Sequence, residues 1–454
     1  MSPTLLVANR GEIACRVIRA AKKLSLRTVA VYSEADAELP HVALADEAVM
    51  LGPARAAESY LRADKLLDAA RCTGATLVHP GYGFLSENAG FSQACAAAKL
   101  RFVGPTAEVI RLMGDKDQAR QAAARAGVPV LPGSGKLDPQ DGASIAACGE
   151  KTGFPLLVKA AAGGGGIGMR VVNTLNELVA AVQATAGMAS KAFGDGSVYL
   201  ERYVQRARHV EIQLFGFGDG TAVHLFERDC SLQRRHQKVV EEARAPGIAE
   251  AVRERMAAAA VALACACCYQ GAGTVEFLYD TQTEEFFFLE MNTRIQVEHP
   301  VTEMITGVDL VAAQLRLAMG DRLQEELAQG RVAASGHAIE VRVYAENPAK
   351  NFLPSPGLLT EFAVPHGEGI RVDTGYREGN RVTPFYDPMV MKLIAHGQDR
   401  SAAIARLQAA LAEMRIAGIT HNIPYLQAVL RHPAFRAGEL HTGFLGALHA
   451  ELLA

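Results

Sequence analysis

Two acidic residues, Glu276 and Glu290, lie in segments that read as the arms of one β-hairpin, "GTVEFLYD" (273–280) and "EEFFFLEMN" (284–292). Val, Phe and Tyr in the first arm and three consecutive Phe in the second suit strands. A five-residue loop over 281–285 pairs Asp280 with Phe286, and the same register sets Glu276 opposite Glu290. Opposed side chains in such a ladder lie ~4.5–5.5 Å apart at Cβ, where like charges destabilise the sheet. A cation between them removes that penalty. From Glu290 the run "EMNTRIQVE" (290–298) alternates Glu290, Asn292, Arg294, Gln296 and Glu298 with Met291, Thr293, Ile295 and Val297. In an extended chain this period of two puts all five polar groups on one face. A strand merely wetted on one side needs no such mixture of carboxylates, amides and a guanidinium. Hard divalent ions want several oxygen ligands, so the pattern points to a Mg²⁺ or Mn²⁺ site.

Two further stretches could serve an anion. "RDCSLQRRHQK" (228–238) carries Gln233, His236 and Lys238, donors suited to an anion and not to an apolar ligand, although alone it reads equally as a charged surface loop. "VKAAAGGGGIGMRVV" (158–172) holds four consecutive glycines, each costing about 0.5–1 kcal/mol of backbone entropy relative to Ala. They follow a strand ending in Lys159 and precede another strand, which is not the strand–loop–helix of a GxxxxGK[ST] phosphate loop. A glycine hairpin tip nevertheless presents unobstructed N–H groups to phosphate oxygens. By itself it reads as a flexible turn.

These groups need a scaffold. "TLLVAN", "RGEIACRVIRAAKKL" and "RTVAVYSEAD" read as strand, amphipathic helix and strand, and the alternation down to "RFVGP" (101–105) predicts a doubly wound parallel sheet. A dinucleotide fold is the rival. Glu34 and Asp36 would suit a ribose, but the first turn offers Gly11 alone and not G-x-G-x-x-G. From Lys116 to about 205, Gly and Pro punctuation marks a small insertion or lid, and residues 209–330 alternate strands and helices. A third unit starts near "GHAIEVRVYAENP" and ends in helices.

The 454 residues exceed one ordinary core and predict two to four domains. Lys plus Arg number 46 against 49 Asp plus Glu, a net charge of -3, so no global field recruits nucleic acid or an anionic membrane. The eight cysteines show no zinc-type spacing. "CACC" lies in an Ala-rich run (256–269) that reads as a core helix, far short of the ~20 residues of a membrane span. No basic and then apolar leader opens the chain, and a cytoplasmic location is the expectation.

In this order the pieces resemble the ATP-grasp superfamily and, within it, the biotin carboxylases of acetyl-, propionyl- and methylcrotonyl-type acyl-CoA carboxylases. The likeness rests on "VANRGEIACRVIRA", "HPGYGFLSENA", "MGDK", "RHVEIQ", "RDCSLQRRHQKVVEEARAP", "EMNTRIQVEHPVTE" and "GHAIEVRVYAE", which together span essentially the whole chain. The resemblance implies an α/β ATP-grasp fold. Residues 1–115 would form an N-terminal doubly wound domain, 116–330 an ATP-grasp domain with a glycine-rich lid over about 131–204, and 331–454 a C-terminal α+β domain. It implies ATP contacts at Lys116, Lys159, Glu201, Val204, His209, Gln233 and His236, with Gly164, Gly165 and Gly166 in a lid over the phosphates. Glu276, Glu290 and Asn292 would hold Mg²⁺ or Mn²⁺. Lys238, Arg294, Gln296 and Val297 would form the bicarbonate pocket, Glu298 the general base and Arg342 the group facing the biotin ureido oxygen, with Tyr82 also on the substrate side.

Two positions depart from the family pattern: Arg202 in "ERYV", where Lys is more usual, and Arg244 in "ARAP", where Pro is, beside the biotin-side strand. No Ala-Met-Lys-Met biotin acceptor is present. "MVMKL" (389–393) reads as part of a core strand. Biotin is therefore expected as a substrate on a carrier protein or domain, with carboxyltransferase partners and a homodimer as the family's default assembly. Another ATP-grasp ligase would share Lys116, Lys159, Glu276, Glu290 and Asn292 but would not need the 228–238 run or Arg342.

Overall fold

A computed structural model of the chain describes residues 3–160, 169–193, 196–235 and 237–453. It divides into two units: Met1–Val128, Arg208–Phe277 and Glu290–Ala454 form the first, and Pro129–Ala207 with Leu278–Leu289 the second.

The first unit opens with β1 (Thr4–Val7), β2 (Arg27–Ser33), β3 (Glu47–Gly52), β4 (Leu77–His79) and β5 (Arg101–Phe102). All pair in parallel in the order β3-β2-β1-β4-β5, the expected doubly wound sheet. β1 is buried at every residue, because helices cover both faces of such a sheet and leave its central strand no polar side. The helix Gly11–Lys23 buries every residue from Gly11 to Ala21 except Arg19, more than the single apolar stripe of the expected amphipathic helix. Glu12 sits in its first turn and Lys22 and Lys23 in its last, each the sign that the helix dipole favours there.

In the second unit β6 (Leu156–Ala160), β7 (Met169–Val172) and β8 (Val198–Arg202) form an antiparallel sheet in the order β7-β6-β8. Its core includes Ile145, Leu156, Val158, Leu178, Val182 and Leu200. Lys159 pairs with Met169, so antiparallel strands flank the glycine-rich segment as expected.

The large sheet is built from β9 (Ala207–Phe217), β10 (Ala222–Arg234), β11 (Gln237–Ala243), β12 (Gln270–Asp280), β13 (Phe286–Asn292), β14 (His337–Tyr344) and the strands Ile370–Thr374 and Met389–Gly397. Their order is β13-β12-β9-β10-β11-β14, then 389–397 and 370–374. It therefore carries strands from both sides of residue 330. "MVMKL" does lie in a core strand, with Lys392 fully buried. At the end of the hairpin the Asp280 N–H donates to the Glu285 carbonyl (2.8 Å), one residue short of the expected partner Phe286.

Two expectations need correction. The Ala-rich helix ends at Ala266, so Cys267 caps it and Cys268 stands exposed beyond it; the cluster is not a set of buried core residues. The extended run from Glu290 stops at Asn292, and residues 293–298 bend into the helix His299–Thr306, whose Pro300 favours a helix start. Among the described residues no helix is long and apolar enough to cross a membrane.

Gly375, just past the strand Ile370–Thr374, packs directly on the backbone of Gly11 and Glu12, and a Cβ there would collide with it. Gly375→Ala is therefore expected to destabilise the protein by about 1–3 kcal/mol through overpacking. Chemical denaturation measures the loss, and an unchanged midpoint would show that the helix start yields freely.

Candidate active site

Alternation along the large sheet brings the polar groups to one face. On β9, His209, Glu211 and Gln213 share a side, with Val210, Ile212 and Leu214 on the other. Arg228 of β10 lies directly opposite Glu211, and its Nε donates to Glu211 Oε1 at 2.6 Å. β11 pairs with β10 through a register shift between Leu232/Val240 and Gln233/Lys238, which leaves Val239 as an extra residue. Such a bulge re-aims its neighbours. Here it lets Lys238 and Glu241, three apart, both reach the cluster.

Lys238 is its centre. Nζ donates to Glu298 Oε1 at 2.6 Å, Glu211 Oε2 at 2.7 Å and Glu276 Oε1 at 2.9 Å. Burial alone would lower this ammonium, yet the three carboxylates raise it well above the ordinary lysine range. The same cation, against the cost of burial, holds Glu276 well below the carboxylate range and lowers Glu298. Glu211 is brought to about 2 by Lys238 and Arg228 against burial. All three carboxyls are ionised at neutral pH. Arg228, fully buried, also binds Gln213, Thr302, Thr274 and Gln296, which ties the sheet to the helix His299–Thr306.

The other expected residues gather around this centre. Gln296 and Asn292 each donate to Glu276 Oε1 at 2.9 Å, and Arg294 Nη2 donates to Asn292 Oδ1 at 2.7 Å. His209 Nε2 lies 2.8 Å from Glu276 Oε2, and its Nδ1 meets Gln233 Nε2 at 2.7 Å. The bend after Asn292 thus brings the five alternating polar groups together by a route other than a common strand face. Glu290 reaches the open side of the group, its carboxyl raised by lost hydration and then by the charge of Glu276. Glu276, Glu290 and the Asn292 amide oxygen are the oxygen donors a hard divalent ion takes, and this mutual repulsion is what such an ion would relieve. His209, Glu211 and Glu276 also lie close enough to share an ion.

Beside the cluster opens a cavity of about 460 Å³, its walls including Glu12, Tyr82, Arg294, Val297, Arg342 and Tyr386. Arg342 Nη2 binds Glu298 Oε2 at 3.0 Å and its Nε binds Glu241 Oε1 at 2.6 Å, so Glu298 is held between Lys238 and Arg342. Tyr82 donates its hydroxyl to Glu12. The Val297 carbonyl accepts from Lys392 Nζ at 2.8 Å.

Not every expected residue joins. Lys116 stands exposed at the first residue of the helix Lys116–Arg125, with no polar side-chain contact to the cluster among the described residues. Lys159 and Glu201 form an ion pair within the second unit, where Val204 is also buried. Gly164, Gly165, Gly166 and His236 lie outside the described residues. Arg202 pairs with Glu285 at 3.3 Å. Arg244 binds Glu227 at 3.1 Å and Glu250 at 2.9 Å, so its charge is neutralised by those acids. Sequence reasoning missed Glu211, Arg228, Glu241, Lys392, Glu12 and Glu87, the last of which binds Arg294 Nε at 2.7 Å. Of these, a charged residue alternating with Val, Ile and Leu in "RHVEIQLFGF" was the visible signal for Glu211.

Known proteins carry the same framework. Residues 1–110 match the biotin carboxylase N-terminal domain family, 115–326 the ATP binding domain of the carbamoyl-phosphate synthase L chain, and 340–447 the biotin carboxylase C-terminal domain. Over 98% of its length the chain is 51% identical to the biotin carboxylase of Halalkalibacterium halodurans and spans 97% of that protein. It is 48% identical, over 97% of its length, to the methylcrotonoyl-CoA carboxylase subunit alpha of Glycine max, of which it spans 60%. Among solved structures, the biotin carboxylase subunit of pyruvate carboxylase superposes with a TM-score of 0.91 at 42% identity, covering 100% of this chain and 99% of that one. The biotin carboxylase domain dimer of Hydrogenobacter thermophilus 2-oxoglutarate carboxylase, in complex with MgADP, ADP and bicarbonate, gives 0.88 at 43%, with the same coverage. The chain belongs to the biotin carboxylase family.

Proposed function

We propose that this protein carboxylates biotin at the expense of ATP and bicarbonate through carboxyphosphate, as the first half-reaction of an acyl-CoA carboxylase. The observation that carries the reading is Glu298, an ionised carboxylate gripped by Lys238 and Arg342 at the edge of a cavity that Tyr82, Arg294 and Val297 also line. Bicarbonate is a weak nucleophile and an anion. Lys238 and Arg294 supply the positive charge that draws it in, and Gln296 adds a neutral donor. Once the Lys238 ammonium turns part of its hydrogen bonding to bicarbonate, Glu298 loses its strongest partner and becomes a better base for the bicarbonate proton.

ATP is the co-substrate in this reading. By family likeness its proposed contacts are Lys116, Lys159, Glu201, Val204, His209, Gln233 and His236, with Gly164, Gly165 and Gly166 proposed for its phosphates. Glu276, Glu290 and Asn292 would hold Mg²⁺ or Mn²⁺, which when bound neutralises charge on the transferring phosphoryl group. Glu276, 2.8 Å from its Nε2, raises the His209 imidazole despite burial. Carboxyphosphate then releases CO₂ and phosphate in a closed site. The phosphate takes the biotin N1 proton, and Arg342 stabilises the developing ureido anion. Exclusion of water protects the labile intermediate.

Biotin reaches the cavity on a carrier protein or domain, and a carboxyltransferase consumes the product. The methylcrotonoyl-CoA carboxylase and pyruvate carboxylase relatives support that assembly, and the dimeric solved relative supports a homodimer. The three family matches likewise support a division at about 115 and 330. A cytoplasmic setting is part of the reading, supported by free buried thiols at Cys15, Cys95 and Cys230.

Purified protein is expected to release ADP from ATP and Mg²⁺ in a manner dependent on both bicarbonate and free biotin. ADP release indifferent to biotin would rule the acceptor out. Glu298→Gln should lower turnover by about 10²–10⁴-fold, the usual contribution of a general base, with nucleotide affinity within twofold by direct titration. A parallel loss of ATP affinity would instead place Glu298 at the nucleotide. Glu276→Gln and Glu290→Gln should each raise the Mg²⁺ concentration for half-maximal activity by about tenfold or more, equivalent to about 1.4 kcal/mol; an unaltered requirement would move the ion elsewhere.

A further inference from the structure

Beneath Arg342 lies a pair of acids that the reaction above does not use. Glu241 of β11 and Glu340 of β14 are direct cross-strand partners, and both are fully buried. Side chains so opposed sit ~4.5–5.5 Å apart at Cβ, where two negative charges repel. Neither carboxyl oxygen of Glu340 has a hydrogen-bond partner among the described residues, nor has Glu241 Oε2, while Glu241 Oε1 receives Arg342. The helix His299–Thr306 packs over this face and, with Ala243, Ala338 and Ile394, contributes Val301 and Ile305 to an apolar cluster beside the acids. An ionised, unpartnered carboxylate is costly in such surroundings.

The charged and titratable groups that face Glu340 are Glu241 from β11, Arg342 from β14, Lys392 from the strand Met389–Gly397, and Glu298 and His299 from the start of the covering helix. Lys392 does not bind Glu340; its Nζ is taken by the Val297 carbonyl at 2.8 Å and Glu12 at 3.1 Å. His299 uses Nδ1 on the Gln296 carbonyl and is kept neutral by burial and by Lys392, Arg16 and Arg371. Arg342 already serves two carboxylates, Glu241 and Glu298.

We propose that Glu241 and Glu340 share a single proton, and that the singly charged pair makes Glu241 the positioning residue that holds Arg342 over the cavity. Burial pushes both acids upward, Glu241 to about 7, with Arg342 opposing the shift at Glu241 and Lys392 at Glu340. One negative charge anchors the guanidinium through both Nε and Nη2 on Glu241 Oε1 (2.6 and 2.5 Å), and the longer Nη2 contact to Glu298 at 3.0 Å is the one an incoming substrate would replace. Two charges would draw it down from the cavity, and none would release it. The function assigned to Glu241 rests on the reading of Arg342 as the group that meets the biotin ureido oxygen.

Infrared spectroscopy of the full-length chain, wild type against Glu340→Gln, reads the proton directly. The wild-type-minus-variant difference is expected to contain the C=O stretch of a protonated, non-hydrated carboxyl, which shifts in D₂O and bleaches only above the ordinary carboxylate range. No such band would mean that Glu340 is ionised against Lys392, and the shared proton would be refuted. In kinetics, Glu340→Gln, which preserves one charge on the pair, should keep kcat/KM for biotin within about twofold, while Glu241→Gln should lower it by about tenfold or more with KM for ATP unmoved. Equal losses of biotin and ATP kinetics in Glu241→Gln would reduce Glu241 to a structural role. Should wild type show no biotin-dependent ADP release, the proposed function fails, while the infrared comparison still decides the shared proton.

Discussion

One ammonium group holds three buried carboxylates around a single point. Glu211, Glu276 and Glu298 come from β9, from β12 and from the turn before a helix, and Lys238 Nζ bonds all of them. Removing one partner from a buried ionic group costs about 3–5 kcal/mol, because a charge is left without compensation. The resting site is thus stable through an interaction that the reaction must partly undo. Any anion that enters competes with Glu298 for the same donor, so substrate binding and activation of the base draw on one cation.

The arginines divide by what else they can reach. Arg228 is enclosed, and its donors are taken by Glu211, Gln213, Thr274, Gln296 and Thr302, so it has nothing left for a ligand. It fixes the sheet against the helix that begins after Glu298. Arg294 and Arg342 line the cavity and are paired with carboxylates, Glu87 and Glu298, that they can exchange for a substrate. Buried acids are correspondingly of two kinds. Glu211 and Glu276 are held ionised by cations, whereas Glu241 and Glu340 are pushed upward by burial and by each other. A single sheet face carries both kinds because its strands alternate polar and apolar residues while a helix covers part of it.

Much of this was legible in the residues. The strand–helix–strand opening, the hairpin around 281–285 and the strand character of "MVMKL" follow from hydrophobic periodicity, which is local. Glu276 and Glu290 do lie near enough for one charge to act on the other, although the hairpin closes one residue off the register that predicted them as opposed partners. The run 290–298 was read as one strand because it alternates, and alternation does not distinguish a strand from a bend in which the same residues converge. His299 and Pro300, the start of a helix, are where that reading ended. Arg244 looked like a charge placed beside the substrate until Glu227 and Glu250 were seen to neutralise it.

The amino-acid sequence by itself determined which residues carry charge, which segments are strands, and the family signatures that name the acids, amides and cations of the site. The fold alone decided which of those groups meet. Lys238 lies 27 residues from Glu211, 38 from Glu276 and 60 from Glu298 along the chain. Its reach to all three depends on strand order in the sheet and on the bulge at Val239. Local propensity sets a residue's face on its own strand; it contains no information on which strand will be its neighbour, since that is settled by burial and pairing across the whole sheet.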